Sequence, residues 1–232
     1  MPNKITHVFF DLDRTLWDFE QNSHDELSAI FSRHQLMMKG ISLVEEFIKV
    51  YKKINEECWE LYRMNAIKKE DLRSVRFAQT LEYFGINDPA LSERIGLEYV
   101  TNSPMRTKLI KDSHEILEYL NPKYSMHMIT NGFEEVQHVK LRECGLTPFF
   151  GEVITSEMAG AKKPEKKIFD LAIELTGANP ATSVYIGDDL LVDALGAANA
   201  GWQAVYFNPH KVTHNHSFLA DIQSLAELKT VL

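Results

Sequence analysis

Residues 5–15 read ITHVFFDLDRT, and the reading of this stretch decides the fold. Ile5 to Phe10 is short, β-branched and aromatic, and it stops abruptly at the polar DLDRT. A continuous apolar run of this length fits a strand buried on both faces of a parallel sheet. The run ends in two carboxylates, Asp11 and Asp13, and the carboxyl ends of the strands are where open α/β sheets bind ligands.

Downstream, residues 18–100 carry helical periodicity and no convincing strand. Apolar faces recur over about 22–36, 42–64 and 68–84, the second carrying Leu43, Phe47, Ile48, Tyr51, Ile54, Cys58 and Leu61. A fourth helix is signalled by Asp88-Pro89, an N-cap followed by proline at the first helical position. A block this long cannot be an ordinary loop. After Pro104 strands and helices alternate. Strands are predicted at 124–130, 151–155, 183–187 and 203–207. Helices are predicted at about 113–121, 133–144, 164–176 and 190–200, with a last one opening at a Ser224/Glu227 capping box. Alternation of this kind implies a parallel sheet with right-handed crossovers. The predicted fold class is therefore α/β: a doubly wound, Rossmann-like core formed by residues 1–17 and 101–232, interrupted by an all-α insert over 18–100.

The 232 residues carry a formal charge of −8, with 44% hydrophobic and 25% charged residues. That balance argues against binding to nucleic acid polymers or anionic membranes, which need a basic surface. Cys58 and Cys144 cannot form a disulfide framework and suit a reducing compartment. The N-terminal apolar run is too short for a signal sequence, and no stretch approaches a membrane span. A cytoplasmic protein is expected, with a monomer as the expected state.

Four strand ends carry residues capable of chemistry. Asp11 and Asp13, two apart, face one way if the strand continues. They can share a hard cation or divide labour between attack and proton transfer. Thr130-Asn131-Gly132 can donate hydrogen bonds to a phosphate oxygen. Lys163, beside Pro164 at the expected N1 position of a helix, can neutralise phosphate charge. Asp188, after Gly187, can complete a metal shell begun by Asp11, and Asp193 can orient the lysine or a bound water. Each piece alone also has a plain reading. These are a solvated acidic turn, an ordinary strand-to-helix turn, a surface lysine, and helix capping by Asp188 or Asp189.

Together, D-x-D-x-T, T-N-G, K-P and G-D-x-x-x-x-D, in that order and context, make the whole chain resemble the haloacid dehalogenase superfamily of phosphatases. The helical insert is similar to that superfamily's small α-helical cap. The resemblance implies Asp11 as the nucleophile that forms an aspartyl-phosphate, and Asp13 as general acid and then base. It implies Mg²⁺ held by the Asp11 side chain, the Asp13 backbone carbonyl and Asp188. It further implies Thr130 and Asn131 as the phosphate-binding pair and Lys163 between nucleophile and phosphate, with Asp193, Asp189 and Thr15 in support. The dehalogenating branch lacks an acid equivalent to Asp13, because no leaving oxygen needs a proton there.

Longer strings, ITNGFEEVQHVKLRECGL (129–146), KKPEKKIFDLAIELTG (162–177) and GDDLLVDALGAANAGWQAVYFNPH (187–210), look similar to the pyrimidine 5′-nucleotidase branch. The implied substrate is a small phosphomonoester, a nucleoside monophosphate. One departure is Ile110-Lys111-Asp112, where many relatives carry a Pro-Gly turn. Sugar-phosphate or phosphoglycolate phosphatases and phosphomutases are neighbouring readings. A phosphoacceptor signalling domain or a silent interaction module is a reading of another class. Substrate choice is expected to lie mainly in the insert. Trp17, Phe19, Trp59, Tyr62 and Arg63 are candidates for stacking on a base, with packing as their plainer role. Hinges are expected near 17–20 and 101–104. His210, His214 and His216 lie in a polar loop and read as a solvated rim rather than a metal site.

Overall fold

The computed structural model describes residues 4–232. β1 (His7–Phe10) lies inside a six-stranded, all-parallel sheet with β2 (Ser125–Thr130), β3 (Val153–Thr155), β4 (Ser183–Gly187), β5 (Gln203–Phe207) and β6 (Ala220–Ile222). The order is β3-β2-β1-β4-β5-β6, so the chain starts in the middle and winds outward both ways. Strand alternation sorts the core onto two faces. Val8, Phe10, Met126, Met128, Val184, Ile186, Val205 and Phe207 point to one side, and Phe9, Ile129, Tyr185, Ala204 and Tyr206 to the other.

The first face is covered by α5 (Ser113–Leu120), α6 (Glu134–Glu143) and the C-terminal α10 (Leu228–Val231), through Ile116, Leu117, Leu120, Leu141 and Leu228. The second is covered by α7 (Ser156–Ala159), α8 (Lys166–Thr176) and α9 (Leu195–Asn199), through Ala159, Ile168, Phe169, Ala172 and Ala197. Gly177 ends α8 with φ 67°, a left-handed turn that glycine takes without steric cost. The Ser224/Glu227 capping box forms as expected at the C-terminal turn.

The chain divides into two compact units, Met1–Phe19 with Thr107–Leu232, and Glu20–Arg106. The second holds most of α1 (Phe19–Arg33), together with α2 (Val44–Arg63), α3 (Lys69–Tyr83) and α4 (Pro89–Asn102). The boundary expected after residue 100 falls inside α4. The division comes later because a 3₁₀ turn at Ser103–Met105 follows, and Arg106 pairs with Glu26 of α1 at 2.8 Å. Asp88 caps α4 as expected, accepting the Leu91 N–H at 2.9 Å. Leu27, Ile30, Phe47, Tyr51, Phe77, Leu81, Ile95 and Tyr99 form this unit's core, with Tyr51 stacked on Phe77 at 4.7 Å between centroids. Leu43 and Leu61, expected on the buried face of α2, are exposed.

Three other expectations are corrected. β6 was not foreseen: it is three residues long and contains Asp221. Pro164 does not open a helix, because α8 starts at Lys166 and Pro164 lies in a turn closed by the Glu165 N–H on Lys162 O. The helix expected at 190–200 begins as a wide π turn, Leu190–Ala194, before α9. Among the described residues no helix is long and apolar enough to cross a membrane.

Candidate functional site

Asp11 follows β1 directly, and its backbone N–H bonds Ile186 O of β4 at 2.9 Å, so the strand register fixes the carboxylate at the sheet rim. Lys163, only 2% exposed, reaches this rim from the loop before α8. Its ammonium donates three hydrogen bonds: 2.7 Å to Asp11 Oδ1, 2.6 Å to Asp193 Oδ1 and 2.7 Å to the Tyr185 hydroxyl. Three bonds exhaust the donors of an ammonium. Lys163 therefore fixes the Asp11 carboxylate, and its three donors are all engaged in this arrangement. The Tyr185 hydroxyl also lies 3.0 Å from Ile129 O and 3.1 Å from Asp193 Oδ1.

Asp188 completes the acidic group. Asp11, Asp188 and Asp193 each bring an oxygen to within 4.8 Å of one another, the one group of metal-capable side chains among the described residues. Thr15, fully buried, donates its hydroxyl to Asp188 Oδ1 at 3.2 Å. Asp193 is held by Lys163 and, through Oδ2, by the Asp189 N–H at 3.1 Å. Gly187 makes room for it, since a Cβ there would lie 2.4 Å from Asp193 Oδ2. The Asp189 side chain caps the following turn, accepting the Leu191 and Val192 N–H groups at 2.9 Å, so Asp189 supports the site through its backbone N–H.

Electrostatics mark this rim as incomplete. Burial pushes the Asp11 carboxyl up to about 7 despite the neighbouring Lys163, and Asp193 and Asp13 add like-charge repulsion. Asp188 is raised well above the ordinary carboxylate value, by burial first and then by Asp193 and Asp11. The three carboxylates outnumber the two cations that act on them, Lys163 and Arg14, and every donor is a hard oxygen. Both facts fit a divalent cation such as Mg²⁺.

The remaining expected residues fall on two sides. Thr130 is 1% exposed, and its Oγ1 accepts the Gly132 N–H at 3.0 Å, which leaves its own proton to donate. Asn131 faces the lysine loop. Its side chain accepts the Lys163 N–H at 2.8 Å and donates to Lys163 O at 3.0 Å, stapling the lysine loop to the end of β2. These two bonds use the amide oxygen and one of its two N–H donors. The Asp13 carboxylate lies outside the acidic group, and its expected metal contact is through the backbone carbonyl. The carboxylate turns to α6, where Gln137 Nε2 donates to Oδ2 at 2.9 Å and Lys140 Nζ to Oδ1 at 2.5 Å.

Tyr185, Gln137 and Lys140 were not expected. Tyr185 sits in an apolar strand and reads as core. Gln137 and Lys140 left one signal: with Leu141 and Cys144 they occupy the inward stripe of α6, where apolar residues belong. Of the stacking candidates, Trp17 is fully buried in the α/β core under the Lys140 ammonium, 4.2 Å from its ring centroid. Phe19 packs under the Arg14 guanidinium at 4.6 Å, and Trp59 meets Tyr62 edge-on at 5.5 Å. Packing is what these aromatics do. In the histidine loop, His214 bonds Asp221 at 2.9 Å and packs on Tyr206.

Comparison with known proteins agrees with this geometry. The sequence profile of the haloacid dehalogenase-like hydrolases matches residues 5–201. The chain is 27% identical over 214 residues to the pyrimidine 5′-nucleotidase PynA of Streptococcus pneumoniae, covering 90% of this chain and 86% of that protein. It is 30% identical over 205 residues to the pyrimidine 5′-nucleotidase YjjG of Escherichia coli, covering 88% and 86%. Its fold matches the magnesium-bound crystal structure of the HAD-hydrolase YfnB of Bacillus subtilis with a TM-score of 0.89, at 24% identity and 99% coverage of both chains.

Proposed function

The chain belongs to the haloacid dehalogenase-like hydrolases and is a phosphoric monoester hydrolase; we propose that it works through an aspartyl-phosphate on Asp11 and acts on pyrimidine nucleoside 5′-monophosphates. The mechanism is supported above all by one observation: Lys163 ties Asp11 to Asp193 at the sheet rim, with Asp188 within 4.8 Å. The substrate class is supported by the likeness to two pyrimidine 5′-nucleotidases.

Phosphate monoesters hydrolyse extremely slowly in water, so catalysis must come from positioning and charge neutralisation. Lys163 holds Asp11 Oδ1, which fixes the other oxygen's direction of attack. In the first step an Asp11 oxygen bonds to phosphorus as the P–O bond to the nucleoside breaks, and Asp13 gives its proton to the departing oxygen. In the second step Asp13 takes a proton from water as that water bonds to phosphorus. The Asp11–phosphorus bond breaks, releasing inorganic phosphate and restoring the carboxylate. Thr130 donates to a phosphate oxygen. Asp11 and Asp188, with the Asp13 carbonyl, would hold Mg²⁺, which supplies positive charge between an anionic nucleophile and an anionic substrate. The helical unit is the proposed source of substrate choice, acting as a cap.

The test is phosphate release, with Mg²⁺ present, from pyrimidine and purine nucleoside monophosphates and from sugar phosphates. Preference for the pyrimidine nucleotides is expected. Equal slow hydrolysis of all would overturn the substrate assignment, and activity retained in Asp11→Asn would overturn the mechanism.

A further inference from the structure

We infer that Gln137 and Lys140 are positioning residues for Asp13, a two-pronged grip that holds the acid in one orientation for proton transfer. The inference rests on the proposed role of Asp13. Gln137 and Lys140 lie one turn apart on α6 and so share a face. They take one carboxylate oxygen each, Gln137 Nε2 on Oδ2 at 2.9 Å and Lys140 Nζ on Oδ1 at 2.5 Å. The holders are buried, 1% and 5% exposed, while the Asp13 side chain keeps 26% of its surface. The acid thus stays reachable and its supports do not.

Burying an amide and an ammonium on a helix face that otherwise carries Leu141 and Cys144 is expensive unless they are paired. Nothing in the packing alone calls for them. Lys140 spends its apolar stem and its charge against the face of Trp17, 4.2 Å from ring centroid to Nζ, which aims the ammonium at Asp13. Gln137 Oε1 is buried without a partner. An amide turned over would present that oxygen to a protonated carboxyl, so one side chain can serve the acid both with and without its proton.

A third residue reports the same design. Gly132 does not need a left-handed backbone. It needs space, because a Cβ on it would lie 1.5 Å from Gln137 Nε2. The glycine that ends T-N-G is therefore the clearance through which Gln137 reaches Asp13. Since the clash is with the far end of a flexible side chain, Gly132→Ala displaces the amide and spares the backbone.

A grip on the acid matters in proportion to the leaving group's need for a proton. The experiment compares kcat/KM for a pyrimidine nucleoside monophosphate, whose alkoxide must be protonated, with that for 4-nitrophenyl phosphate, whose phenolate leaves unaided. Lys140→Met and Gln137→Ala should each lower the nucleotide value by about 10- to 100-fold, mostly through kcat, and change the aryl value by less than about threefold, and Gly132→Ala should lower the nucleotide value likewise. Equal losses on both substrates in Lys140→Met or Gln137→Ala, no loss, or a gain on either would overturn the inference. If Lys140→Met fails to fold by circular dichroism, the other two variants decide the question. Wild-type turnover together with a dead Asp11→Asn shows that the underlying mechanism stands whichever way these variants behave.

Discussion

In the α/β unit the buried charge is acidic: Asp11, Asp188 and Asp193 gather around the single ammonium of Lys163. The helical unit buries both signs: Glu26, 1% exposed, pairs with Arg106 at 2.8 Å, and one cation is held without a carboxylate. Arg76, 4% exposed, donates to Asn55 Oδ1 at 2.7 Å and lies among the rings of Tyr99, Phe77 and Tyr51, at 5.2, 5.7 and 5.9 Å. Among the described residues no carboxylate pairs with it. A guanidinium is weakly hydrated and is stabilised by aromatic faces, so an amide and three rings hold it even with its Nε buried without a hydrogen-bond partner. Oxygen anions have no such recourse. Three carboxylates need cations, and the two that act on them are too few. The lesson is that a buried cation can be structural where a buried acidic surplus is a request for a ligand.

The strongest challenge to that contrast is Asp11→Asn. It should abolish phosphate release by at least about 10⁴-fold while the melting temperature holds or rises, since one repelled carboxylate is gone. Next, removal of divalent cations by a chelator should lower activity by about 10³-fold, reversed by added Mg²⁺. Activity indifferent to the chelator would mean the acidic surplus is balanced in some other way.

The contrast also has a pH side. Burial, helped by His7, pulls the His127 imidazole down to about 4. Its Nδ1 accepts the Glu152 N–H at 3.1 Å, so the neutral ring is the one that fits. The folded value lies below the ordinary one of 6.5. Stability is therefore complete above about pH 6.5, falls as acid protonates the unfolded chain first, and stops falling near pH 4, a loss of at most about 3 kcal/mol. His127→Gln should flatten this part of a denaturation-versus-pH curve. The smallest effect is in the helical unit. Asn55→Leu should cost about 2 kcal/mol in urea unfolding, because the guanidinium loses its partner, and adding Arg76→Met should return most of it.

How much could be read from the residues follows the same physics. β1, β2, β4 and β5 were legible because a strand buried on both faces has no freedom in its composition. Asp11, Lys163 and Asp188 were legible because each follows an apolar run or a turn at a strand end. β6 was not, since three residues with an aspartate in the middle carry no period. Asn131 was read as a phosphate contact, and its bonds to the lysine loop went unforeseen because a sequence shows an amide without showing which backbone groups lack partners. Here those groups belonged to Lys163, 32 positions away. Tyr185 hid in an apolar strand, where its hydroxyl left no trace. Lys140 was missed, although a charge on the inward stripe of α6 is a mismatch between local pattern and burial.

The chain leaves the α/β unit and returns to it side by side. Trp17 and Leu109 form an antiparallel bridge, the Ile110 N–H bonds Leu16 O at 2.9 Å, and the Asp18 N–H bonds Lys108 O at 3.1 Å. Whatever is spliced between these two threads is, for the sheet, the tip of a hairpin. Its length adds little to the entropy of closing the loop, and none of its residues sets a strand's register. A scaffold wired in this way lets evolution, or an engineer, exchange the helical block for one of another size and shape while the strand ends keep their spacing.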